Sequence, residues 1–101
     1  MKTVDRGAAF LDEKLPGWED QIDLEQLDLS SRCNCVLGQL YKRPRERNTW
    51  HRYDRGLNAL GIETPSKYGF TIWGSGTFEG LDRAWRRLIE LRRKAADGSD
   101  S

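Results

Sequence analysis

The stretch Thr77-Phe78-Glu79-Gly80-Leu81-Asp82-Arg83-Ala84-Trp85-Arg86-Arg87-Leu88-Ile89-Glu90-Leu91-Arg92-Arg93-Lys94-Ala95-Ala96 decides the fold class. Phe78, Leu81, Trp85, Leu88 and Ile89 recur at helical spacing and define one buried stripe. Thr77 stands where an N-cap is wanted. Glu79 and Asp82 occupy the first turns and Arg92, Arg93 and Lys94 the last, the order that the helix dipole favours. Arg83, Arg86, Arg87 and the three basic residues at the end populate the remaining faces. One long amphipathic helix follows.

Working back from it, Gly74-Ser75-Gly76 is a flexible break. The preceding aromatic run, Tyr68, Phe70, Ile72 and Trp73, has no second strand to pair with, and a lone strand leaves its backbone groups unsatisfied. It reads as an aromatic loop packed on helices. Upstream, Trp50, Tyr53, Leu57 and Leu60 repeat at helical spacing after Thr49, and Gly61 is a good stop. Ile62 then folds back on the helix end.

The cysteine-bearing stretch 31–41 predicts a further helix ending near Tyr41. Ser30 or Ser31 is its cap, and Cys35, Val36, Leu37 and Leu40 form its apolar face. Gly38 inside it costs about 1 kcal/mol against alanine, which suggests a close approach by another element. The first helix covers 4–15, with Val4, Ala8, Leu11 and Leu15 on one stripe, and Pro16-Gly17 stops it. Gly7 in that helix again marks close packing. Between Trp18 and Leu29 the apolar residues fit neither period, so one short turn of helix after Trp18 and another around 24–27, joined by an irregular stretch, are expected, with the acidic residues facing water.

These elements predict a mainly α fold: a small single-domain bundle of about four helices with irregular aromatic connectors. Residues 1–96 form the domain and 97–101 a disordered polar tail. The charged fraction of 33% is high for a folded chain. Four tryptophans and a net charge of only +1 nevertheless argue against disorder, because aromatic side chains bury large areas.

The charges are not evenly spread. Residues 1–32 carry 4 basic and 8 acidic side chains, and residues 33–101 carry 13 and 8. Either the two parts attract one another or they present an acidic and a basic face to partners. The densest basic cluster is Lys42, Arg43, Arg45, Arg47, Arg52 and Arg55, interleaved with Tyr41, Trp50 and Tyr53. It is the candidate binding surface, for a protein or for nucleic acid, since bases stack on aromatics and phosphates pair with cations.

Catalytic and metal chemistry find less support. Cys33 and Cys35 are too close to form an unstrained bridge, which fits a reducing compartment. With His51, the chain's single histidine, they make three of the four ligands that structural zinc takes. No phosphate loop or nucleophile elbow occurs. No cofactor is expected, and neither a signal-peptide core nor a membrane-spanning run is present. A soluble, cytoplasmic protein is expected.

Arg6-Gly7-Ala8-Ala9-Phe10-Leu11-Asp12-Glu13, Pro16-Gly17-Trp18, Ile22 to Leu29 and Cys35-Val36-Leu37-Gly38-Gln39-Leu40 together resemble a family of small proteins of actinobacteria and especially their phages. Tyr68-Gly69-Phe70 and the helix through Ala84-Trp85 are similar to its C-terminal part, whereas the basic insert 42–49 is longer than its pattern. The resemblance brings no catalytic residues. It implies a phage or prophage accessory protein inside a bacterial cell. The expected function is non-enzymatic binding, and possible inhibition, of a host or phage protein; the alternative is nucleic-acid binding through 41–55.

Overall fold

The computed structural model describes residues 2–31, 33–42, 51–72 and 77–98. Among them the chain forms four α-helices and no strand: α1 (Lys2–Lys14), α2 (Val36–Leu40), α3 (His51–Leu60) and α4 (Phe78–Gly98). Short 3₁₀ turns stand at Trp18–Gln21 and Pro65–Tyr68. The mainly α bundle read from the sequence is what the chain adopts. Of the expected disordered tail 97–101, Asp97 and Gly98 instead belong to the end of α4, and residues 99–101 lie outside the described residues.

Two aromatic side chains tie the bundle together. Trp85 of α4 is wholly buried, stacks on Phe70 at 5.6 Å and meets Trp18 edge-on at 5.7 Å. Its indole N–H donates to the Gly69 carbonyl at 2.6 Å, so the one polar atom of a fully buried ring is satisfied. Trp18 donates from its own ring to Asp12 of α1 at 2.9 Å. Burying side chains of this size contributes about 3 kcal/mol each before entropy is counted.

Gly7 explains how α1 comes so close. A Cβ built on it would lie 2.0 Å from the Tyr68 carbonyl oxygen and 2.9 Å from the Trp85 ring. The Pro65–Tyr68 turn therefore crosses directly over the helix at the residue that has no side chain. Its own end is a glycine-terminated cap: Gly69 at φ 73 lets its N–H reach Ser66 and the Phe70 N–H reach Pro65. Of the expected aromatic loop, Tyr68 ends a 3₁₀ turn and Phe70 is buried on Trp85, while Trp73 and Gly74-Ser75-Gly76 lie outside the described residues. The same device ends α3, where the Gly61 N–H bonds Asn58 and the Ile62 N–H bonds Leu57. Ile62 is buried against the helix end, as its sequence position implied.

Other boundaries differ from expectation. Thr77 caps α4 through Oγ1, which accepts from the Gly80 N–H at 3.1 Å, but α2 is shorter than predicted. Its N-cap is Cys35, whose sulfur accepts from the Gly38 N–H at 3.3 Å. Ser31 instead accepts from the N–H groups of Cys33 and Asn34, forming a turn ahead of the helix. Residues 24–26 form a turn, not a helix. On α3 the most buried line is Arg52 and Gly56, while Tyr53, Leu57 and Leu60 are half-buried. Gly56 is the close approach between α2 and α3: a Cβ there would meet Tyr41 at 3.0 Å and Leu37 at 3.2 Å.

Segment 19–29 has almost no regular structure, so its carbonyls need partners from elsewhere. Arginines of α4 supply them. Arg86 donates to the carbonyls of Leu24 and Leu27, and Arg93 to those of Glu19 and Ile22. Asp82, ion-paired with Arg86 at 3.3 Å, accepts the Leu29 N–H. Arg92 grips Asp12 with two bonds, 2.6 and 2.9 Å, and lies over the Trp18 ring. The acidic and basic parts of the chain do attract one another, though mostly through arginine and backbone oxygen. Ile22, Leu27 and Leu29 are thereby held in the core.

Candidate functional site

The basic cluster is only partly within view. Arg43, Arg45 and Arg47, with Trp50, lie outside the described residues, as does the side chain of His51. Lys42 is exposed just after α2. Arg55 turns back toward the protein and donates to the Tyr41 carbonyl at 2.7 Å, closing the end of α2. Arg52 is 7% exposed. It sits with Lys42, Cys33, Asn34, Gln39 and Asp23 around a polar cleft of about 370 Å³.

Inside that cleft Gln39 organises the wall. Its amide oxygen accepts from the Asp23 N–H at 2.6 Å, and its amide nitrogen donates to the carbonyls of Asp23 and Asn34. The two thiols part company here. Cys33 is half-buried on the cleft, whereas Cys35 is 2% exposed and burial pushes its thiol up to about 11. A thiol held that far from its thiolate is a helix cap and a piece of core. Among the described residues no three His, Cys, Asp or Glu side chains converge as a metal site.

A second surface was not singled out in the sequence. The start of α1 and the outer face of α4 enclose an open groove of about 490 Å³, floored by Val4, Ala84, Leu88 and Leu91. Leu91 is 54% exposed, the large apolar side chain most given up to water among the described residues. Arg83, Arg87 and Arg92 stand around the groove, with Asp5 on the α1 side. Arg92 is already engaged: Asp12 holds its guanidinium, and that bond draws the Asp12 carboxyl below its usual range. Arg83 pairs with Glu79 at 3.3 Å, but both side chains are more than three-quarters exposed, so the pair exchanges readily. Arg87 is exposed.

The sequence did hold a signal for this groove. Leu88 belongs to the buried stripe, and Leu91 stands three residues beyond it on the adjoining face. One helix therefore carries two apolar lines that share Leu81 and Leu88. No family model, curated protein or solved structure matches the chain, so the functional reading rests on its own residues.

Proposed function

We propose that this is a non-enzymatic binding protein whose α1–α4 groove receives a segment of another protein. The observation that carries the reading is Leu91, exposed at 54% in continuity with Val4, Ala84 and Leu88. A single exposed leucine is ordinary; what supports the reading is that Leu91 continues an apolar floor rimmed by charge. The setting belongs to the same proposal: a phage or prophage accessory protein in the cytoplasm of its host, acting on a host or phage protein. No helix among the described residues is long and apolar enough to cross a membrane.

The test is an affinity capture from bacterial lysate with the wild-type protein and with Leu91→Glu, each with and without nuclease. A protein retained after nuclease and lost with Leu91→Glu supports the reading. Retention indifferent to Leu91 refutes this surface. Recovery that vanishes with nuclease moves the function to nucleic acid and to the segment from Lys42 to Arg55.

A further inference from the structure

The outer face of α4 carries a heptad-like seam. Leu81, Ala84, Leu88, Leu91 and Ala95 follow one another in alternating steps of three and four residues, the spacing of the apolar positions of a two-helix interface. Leu81 is in the core, Ala84 and Leu88 are half-buried, and Leu91 and Ala95 are exposed. The seam therefore starts as part of this domain and emerges from it. From Ala84 to Ala95 it runs about 16 Å, or three turns. Alanine at both ends of that span lets a second backbone approach closely, and Leu88 and Leu91 supply the apolar knobs.

The two flanks of the seam differ in charge. Arg87 and Lys94, one heptad apart, line the solvent side, whereas on the α1 side Arg92 is held by Asp12 and Asp5 stands beside it. A second copy of this chain would set Arg87 and Lys94 against each other in an antiparallel pair. Like charges at these positions work against pairing, and opposite charges select the partner.

We propose that the groove's occupant is an acidic amphipathic α-helix of a different protein, with leucine-like side chains at seam spacing and carboxylates on the flank that faces Arg87 and Lys94. This rests on the binding function proposed above. Asp5 is the acidic residue lining the groove, and it lies on the α1 wall. The occupant's carboxylates thus meet Arg87 and Lys94 on the other side, and displace Glu79 from Arg83.

Two synthetic 21-residue helical peptides serve as probes, identical in their leucine seam, one with glutamate at the flanking positions and one with lysine. Binding to the full-length protein is read by fluorescence anisotropy. The glutamate peptide binds and the lysine peptide does not. Arg87→Glu with Lys94→Glu weakens the glutamate peptide at least ten-fold and confers binding of the lysine peptide, a reversal that loss of folding cannot produce. Equal binding of both peptides, or of neither, overturns the acidic-helix assignment. So does a dimer in sedimentation equilibrium that Leu91→Glu dissociates, since a second copy then fills the seam. If neither peptide binds but lysate capture still depends on Leu91, the assignment falls and the binding function stands. If both fail, both fall.

Discussion

Replacing Gly7 by alanine sets two effects of known size against each other. In a helix interior, alanine is favoured over glycine by about 1 kcal/mol, so helix propensity alone makes Gly7→Ala stabilising. Against that stands the Tyr68 carbonyl oxygen, 2.0 Å from where the new Cβ must go, and the Trp85 ring at 2.9 Å. The obstacle at 2.0 Å is backbone, so relief requires α1 or the Pro65–Tyr68 turn to retreat by more than about 1 Å, and overpacking of this kind costs about 1–3 kcal/mol. Retreat of the turn carries Gly69 with it, and the Gly69 carbonyl is the partner of the buried Trp85 N–H. Weakening that bond costs a further 1–3 kcal/mol or so. The balance is a loss of about 1–5 kcal/mol, and its centre near 3 kcal/mol lowers Tm by roughly 12–24 °C in a domain of this size. Thermal and urea unfolding followed by circular dichroism measure it directly. Gly17→Ala is the control: nothing lies within 4 Å of its Cβ, and only the φ of +84 penalises it, by about 1 kcal/mol. A Gly7→Ala protein as stable as wild type would refute the close crossing of the turn over α1.

Three further outcomes follow from the same geometry. Asp12→Asn removes the Arg92 ion pair; because the pair depresses the Asp12 pKa, its stabilisation is present above the ordinary value near 3.8 and is lost as pH falls through the lowered one. In this half-exposed position it amounts to less than about 1 kcal/mol at neutral pH, so calorimetry should show the variant and wild type converging as the pH falls from 3.8 through the lowered Asp12 pKa. Arg86→Met strips the carbonyls of Leu24 and Leu27 of their donor and should cost about 2 kcal/mol in urea unfolding, with Arg86→Lys between the two; a neutral Arg86→Met counts against the clamp. In the folded protein a disulfide reagent should titrate one thiol quickly, Cys33, and reach Cys35 only on unfolding; two fast thiols contradict the buried cap.

The long helices were legible because a single period governs them. Phe78, Leu81, Trp85 and Ile89 declare α4 without help from any other element, and Gly61 declares the end of α3. What escaped notice depends on partners far away in sequence. Segment 19–29 has no period because its shape is imposed by Arg86 and Arg93, and nothing local in Glu19 or Leu24 announces a guanidinium. Cys35 as a helix cap was hidden because thiols seldom take that role beside two available serines. The basic cluster was visible as composition, but which way each cation faces depends on helix phase: Arg52 turns inward with Gly56, and Arg55 returns to Tyr41. Leu91 carries no signal of its own for a related reason, since Leu88, its neighbour on the seam, also belongs to the core stripe.

The arginine clamps join residues 59 to 80 positions apart, always with α4 as the donor. During synthesis, segment 19–29 emerges long before the side chains that fix it. Its carbonyls stay bound to water, and Ile22, Leu27 and Leu29 stay without a core, until α4 has cleared the ribosome. A nascent chain stalled short of Thr77 should therefore be cut readily by protease between Trp18 and Leu29, and one carrying a C-terminal linker long enough to bring Gly98 out of the exit tunnel should resist. A helix made late thus settles the fate of a segment made early.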